Sequence, residues 1–261
     1  RGVESIIVYP PHLKMNSAPQ KDRLPNKEKK NIPLTEGQKE VWVEQRLGDD
    51  AAAAYTLSSN IRLEGDLNWS LLQKALQMLV DRHEALRTIF DQEQTTFRVR
   101  AEWPMDFPLI DLSDHSEIEQ GNQFTDLLKM VTEQALDIFQ GPLFRAKVVR
   151  LKEKVHHLLM SAHHGVADGW SCGVLVNDLS RIYTALVRGN PLDLPVAKQI
   201  SDYALEQDAQ RESEERQAAR DYWVAQFAGN IPILELPTDY SRPPVKTYDA
   251  ACEKVSIDQE M

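Results

Sequence analysis

The sequence predicts a layered sandwich of mixed strands and helices, of the α/β or α+β kind, from three observations. Apolar residues alternate with period 2 in several runs of strand length. They recur at 3.6-residue spacing in longer segments between those runs, and two strand runs lie close enough in the chain to pair as a hairpin. With 261 residues, 42% of them hydrophobic, the chain can build one large domain or two small ones around a substantial buried core.

Residues 1–32 contain Pro10, Pro11, Pro19 and Pro25 and the charged run KDRLPNKEKK, with neither period sustained. This is the composition of a linker, and folding is expected from residue 33 onward. Thr35 is a candidate N-cap for a short helix through Val41 and Trp42. TLSSNIRLEG then alternates Leu57, Ser59, Ile61 and Leu63 against polar neighbours, the pattern of a half-buried strand. Asn68 caps a helix with the stripe Leu72, Ala75, Leu76, Leu79 and Val80. A strand pair is expected over Leu86–Phe90 and Phe97–Ala101, and Ser116 with Glu119 forms a capping box ahead of Phe124, Leu127, Leu128, Val131 and Ala135.

LFRAKVVRL and VHHLLMSA, joined by Lys152, Glu153 and Lys154, read as an antiparallel hairpin. Val174, Leu175, Leu179, Ile182, Tyr183 and Leu186 repeat at helical spacing, with Gly189 and Pro191 as the stop. DAQRESEERQAARDYW reads as an exposed helix that docks through Tyr222, Trp223 and Phe227. The Pro-rich ILELPTDYSRPPVKTY is extended, and VSIDQEM resembles a strand running toward a further helix.

A formal charge of -10 gives no support to a nucleic-acid footprint, which needs a clustered basic excess. No apolar stretch approaches the roughly 20 residues of a membrane span, and no leader pattern opens the chain. Cys172 and Cys252 stand far apart without C-x-x-C spacing, so neither a disulfide framework nor a thiolate zinc site is indicated, and a cytoplasmic location fits.

Chemistry concentrates in LLMSAHHGVADGWSCG, Leu158–Gly173. On a strand His164 shares a face with Leu158, Met160 and Ala162, and His163 shares the other with Val155, His157 and Ser161. Beyond them Gly165–Gly169 forms a tight loop opening onto a helix N-terminus, whose dipole disfavours imidazolium and keeps a basic nitrogen available. Three uses compete. One or both histidines are hydrogen-bonded core residues, the reading kept for His163. A metal site on His163, His164 and Asp168 is opposed by the divergence of adjacent strand side chains and the lack of a fourth ligand. A general base at His164 accepts a proton from an attacking amine or hydroxyl. Asp168 can tie its loop to a cation, for which Arg82 and Arg87 stand available, and Gly169 lets backbone come close to substrate. Cys172 at the helix start is a weaker nucleophile candidate.

The run from His163 to Gly169 has the form HHxxxDG and resembles the signature of condensation domains of nonribosomal peptide synthetases. LTEGQKEVW, with Thr35, Gln38 and Trp42, resembles the first motif of that family, and RHEALRTIF its second. GPLFRAKVVRL and YWVAQFAGNIPILELPTDYSRPP are similar to further family segments in the expected order. A Tyr-x-Asp-Tyr-Ala-x-Trp motif is only half matched by residues 200–206.

The resemblance implies a chloramphenicol-acetyltransferase-like two-layer sandwich, a mixed sheet with helices, built as two lobes around a tunnel, of which residues 33–261 would form the N-terminal lobe. It implies His164 as the catalytic residue in amide-bond formation between carrier-bound thioesters. Asp168 would be structural, paired with Arg82 or Arg87; His163 and Gly169 would support the site. Donor and acceptor would arrive on phosphopantetheine arms of carrier domains, adjoining synthetase domains would be further partners, and no cofactor or metal would be bound directly. QRLGDDAAAAY resembles condensation domains downstream of polyketide modules, which implies a β-keto acyl donor. Alternatives are an epimerization domain of the same family, a lobe that docks carriers without turnover, or an acyltransferase using small thioesters.

Overall fold

A computed structural model describes residues 27–46, 53–241, 244 and 255. In chain order its strands are β1 (Lys29–Pro33), β2 (Thr56–Glu64), β3 (Thr88–Phe90), β4 (Thr96–Val99), β5 (Leu109–Asp111), β6 (Phe144–Lys152) and β7 (Val155–His163). The helices are α1 (Glu36–Glu44), α2 (Trp69–Arg82), α3 (Glu117–Glu133), α4 (Gly169–Arg188), α5 (Ile200–Ala209) and α6 (Glu214–Gln226). Two compact units divide the chain, one ending at Arg211 and one beginning at Glu212.

The expected hairpin is the spine of the first unit. β6 and β7 run antiparallel with Lys152 opposite Val155, so Glu153 and Lys154 make a two-residue turn. β2 pairs antiparallel with the other edge of β7, and β5 lies parallel beside β6, giving the mixed order β2-β7-β6-β5. A second sheet, β1-β4-β3, is antiparallel throughout.

Side-chain alternation sets the layers. The even positions of β6 and β7, among them Ala146, Val148, Leu158, Met160 and Ala162, pack on Leu72, Leu76 and Leu79 of α2 and Leu175, Leu179 and Ile182 of α4. The odd positions Val149 and Leu159 meet Phe124, Leu127, Leu128 and Val131 of α3. The sheet is therefore covered on both faces, and the expected two-layer sandwich becomes three layers there. The reason lies in β7, which is buried on both sides from Leu158 through His163.

Capping follows the sequence closely. The Thr35–Gln38 and Ser116–Glu119 boxes form, Asn68 caps α2, and Gly189 ends α4 in the left-handed conformation at φ 64°.

Three expectations need correction, and one helix was not foreseen. β1 starts at Lys29, inside the stretch expected to be linker, because the strand is made by pairing Ile32 with Phe97 rather than by any local alternation. The strand expected from Leu86 opens instead with a short 3-10 helix over Glu84–Arg87. Residues 200–209 form α5, whose buried Ser201 and Ala204 carried too little apolar signal to be read. The polar segment from Asp208 is broken, with Ser213 capping α6 anew.

In the second unit the rings of Tyr222 and Trp223 meet edge to face, and those of Trp223 and Phe227 stack. Residues 230–238 form neither helix nor strand, as their prolines require. Residues 1–26 of the expected linker, most of the QRLGDDAAAAY loop and nearly all of VSIDQEM lie outside the described residues.

Candidate active site

β7 ends at His163, and the two histidines part company there as their strand parity demands. His163 is fully buried, whereas His164 is exposed. Each is tied by its backbone: His163 N–H donates to the Leu143 carbonyl at 3.0 Å and His164 N–H to the Tyr55 carbonyl at 2.8 Å. The second bond continues the β2–β7 ladder one residue beyond the paired Thr56 and His163. The strand then turns, with Val166 N–H closing back on the His163 carbonyl at 2.9 Å.

The side chains differ in chemistry as well as exposure. The Gly165 N–H donates to His163 Nδ1 at 3.0 Å, so a neutral His163 carries its proton on Nε2, which is buried with no hydrogen-bond partner among the described residues. Burial first, and then the charge of His164, push the His163 pKa down to about 4. His163 is thus a neutral core residue at neutral pH. The His164 imidazole has no hydrogen-bond partner among the described residues and meets the Tyr55 ring edge to face, with centroids 6.4 Å apart. Tyr55 also stacks on His163 at 6.1 Å.

Asp168 is not paired with either arginine. Its carboxylate caps α4, accepting from Ser171 N–H and Ser171 Oγ, each at 2.7 Å. Those bonds hold its pKa below the ordinary carboxylate value, with a smaller contribution from His164. Arg82 instead donates to Asp178 Oδ2 at 2.7 Å, both side chains buried, and His83 Nε2 lies 3.0 Å from the same oxygen. Burial opposes ionisation of Asp178, yet the hydrogen bonds and charges of His83 and Arg82 prevail and keep its pKa low. Arg87 is buried on the backbone: Nε donates to the Val80 carbonyl at 3.1 Å, Nη1 to those of Arg100 and Ala101, and Nη2 to that of Asp81. The expected Asp168–arginine brace fails because both arginines are engaged elsewhere, Arg82 by Asp178 and the Pro195 carbonyl and Arg87 by backbone carbonyls.

Glycine roles also shift. A Cβ on Gly169 would meet open space, whereas one on Gly165 would lie 3.1 Å from the Phe90 ring and 3.2 Å from His163 Nδ1. Close packing fixes Gly165; Gly169 opens α4 with free space beside it. Cys172 is disfavoured as a nucleophile, since burial and the neighbouring Asp168 carboxylate both raise its thiol pKa.

Residues whose roles sequence reasoning missed complete the geometry. Gln38 closes its capping box by accepting from Thr35 N–H at 3.1 Å, and its Nε2 donates to the Gly165 carbonyl at 3.0 Å. Helix α1 is thereby clamped to the histidine turn. Asp178 could have been found, since it interrupts the stripe Leu175, Leu179 and Ile182 with a charge that burial obliges to find a cation. Gly165 and Tyr55 carried no such signal. Glu84 is similarly tied, 2.7 Å from Lys29 Nζ and accepting from Ser201 Oγ, so the RHE segment joins β1, α4 and α5.

Among the described residues no three His, Cys, Asp or Glu side chains cluster as metal ligands, and no helix is long and apolar enough to cross a membrane. A cavity of about 320 Å³ lies at the far end of β2 from the histidines, lined by Ile61, Leu63, Leu158, Leu179 and Tyr183 among others.

The profile of the Condensation domain matches residues 28–261 of this chain. The chain belongs to the condensation-domain family. Its match begins one residue ahead of β1, in agreement with the folded boundary rather than with the expected linker. Curated relatives of this condensation-domain chain include a component of the linear gramicidin synthase of Brevibacillus parabrevis, 33% identical over 91% of the chain, and a component of the plipastatin synthase of Bacillus subtilis (strain 168), 32% identical over 90%. The chain spans 5% and 6% of their lengths.

Among solved structures, the SgcC5 protein of Streptomyces globisporus superposes with TM-score 0.65 at 30% identity, over 79% of this chain and 48% of that one. The starter condensation domain of rhizomide synthetase RzmA gives TM-score 0.69 at 21% identity, over 79% of this chain and 51% of that one. Those likenesses carry the mixed α/β sandwich, and the resemblance to the N-terminal lobe of a condensation domain stands on them.

Proposed function

We propose that this chain is the histidine-bearing N-terminal lobe of a condensation domain that forms amide bonds in nonribosomal peptide biosynthesis, with His164 as its base. The supporting observation is the division of labour within the pair: His163 is sealed and neutral, while the His164 ring is exposed and makes no hydrogen bond among the described residues. An acceptor amine delivered by one carrier domain attacks the carbonyl carbon of a thioester delivered by another. The new C–N bond forms as the amine proton passes to the His164 imidazole. The C–S bond then breaks, and the departing thiolate of the donor's phosphopantetheine arm recovers that proton. Gly169 leaves room beside the turn, and Asp168 serves by starting α4 rather than by touching substrate.

The relation to chloramphenicol acetyltransferase, the tunnel between two lobes, the cytoplasmic setting and a β-keto acyl donor are part of this reading. In the intact synthetase, His164→Ala should leave folding and carrier loading unchanged and lower product formation by about 10²–10⁴-fold. A fully active variant refutes the assignment. Deuterium exchange at Cα of a carrier-bound residue, without amide formation, would select the epimerization alternative. Carrier binding without product in the intact wild-type protein would select the docking alternative. Processing of aminoacyl donors with rejection of β-keto acyl donors would remove the polyketide element alone.

A further inference from the structure

A base must lie within about 3 Å of the proton it takes, and a misplacement of about 1 Å can lower rate on the order of a hundredfold. His164 meets this demand with few constraints. Its backbone N–H is bonded to Tyr55, but its ring is exposed and accepts no hydrogen bond among the described residues. An imidazole in that state samples several χ1 and χ2 rotamers unless a neighbour restricts it.

The neighbour is Tyr55. Its ring stands at 83° to that of His164 and lies at 22° to that of His163, with centroids 6.4 Å and 6.1 Å away. His163 is itself immobile, since it is buried and accepts from Gly165 N–H. The Gly165 carbonyl is in turn held by Gln38. A chain of fixed groups therefore runs from α1 through the turn to His163, on to the Tyr55 ring, and ends at His164. We propose that Tyr55 is a positioning residue whose ring, backed by His163, sets the direction of the His164 imidazole. The catalytic part of this inference rests on the reading of His164 as the base; the placement of the rings does not.

Two measurements test it. In the full chain with selectively protonated tyrosine and histidine rings, nuclear Overhauser contacts are expected between Tyr55 and both His163 and His164. Their absence at His164 overturns the proposal without any variant. In the intact synthetase, Tyr55→Phe should keep kcat within about twofold, because the ring remains, while Tyr55→Leu should lower kcat about three- to tenfold with acceptor KM unchanged. A Tyr55→Leu enzyme with wild-type kcat overturns the proposal, as does a loss in Tyr55→Phe equal to that in Tyr55→Leu. A fully active His164→Ala enzyme, alongside ring contacts present in the wild-type protein, separates failure of the base assignment from failure of the placement.

Discussion

His163 is the side chain whose environment makes the sharpest quantitative demand. Its pKa is about 4 in the folded protein and about 6.5 in an unfolded chain, so the unfolded state binds the proton more readily between those values. Stability is fully present above about pH 6.5 and falls as pH drops toward 4, by up to about 3 kcal/mol from this residue. Burial lowers the pKa of His156 and His157 as well, which steepens the same slope. Urea midpoints measured from about pH 7.5 to about 4.5 should decline on acidification, and His163→Gln should flatten the curve. Asp178 makes the other demand at this scale. Asp178→Ala leaves Arg82 charged, buried and without its carboxylate, a change expected to cost about 3–5 kcal/mol. Denaturant unfolding would read it, and Asp168→Ala serves as the contrast, expected to cost only about 1 kcal/mol as a lost helix cap.

At the scale of elements, the histidine turn is short because three pieces of secondary structure converge on it. β7 delivers it, α4 leaves it, and α1 clamps it through Gln38. Gly165→Ala forces a methyl against Phe90 and His163 and should destabilise the protein measurably, whereas Gly169→Ala should leave the melting temperature unchanged within a degree or two. If substrate backbone occupies the space beside Gly169, that second variant still loses turnover; equal turnover would show the space to be unused. The hairpin, the caps of α1, α2 and α3 and the end of α4 were readable from the sequence because each depends on a few adjacent residues. β1 and α5 were not. Ile32 becomes a strand residue by meeting Phe97, and Ser201 is buried by Glu84 and Lys29, partners that no local window contains.

For the whole molecule, period alone separated His163 from His164, and the separation is what the fold displays. The partners of Asp168, Arg82 and Arg87 were misassigned because charge pairing is decided by which buried groups compete, and burial is a property of the assembled layers. Covering the main sheet on both faces had a similar origin: the odd positions of β7 mix Val155 and Leu159 with His157, Ser161 and His163, so the second buried side emerges only from the packing of α3.

That double covering gives β7 a distinctive kinetic character. Its amides sit between two layers and two neighbouring strands, so they exchange with solvent deuterium only when the main sheet itself opens. His164, the proposed base, follows directly on the last residue of that strand and is held there by the hydrogen bond from its backbone N–H to the Tyr55 carbonyl. Amide protection along β7 should therefore track the global stability of the first unit rather than local fraying, a difference that hydrogen exchange across a denaturant series would read.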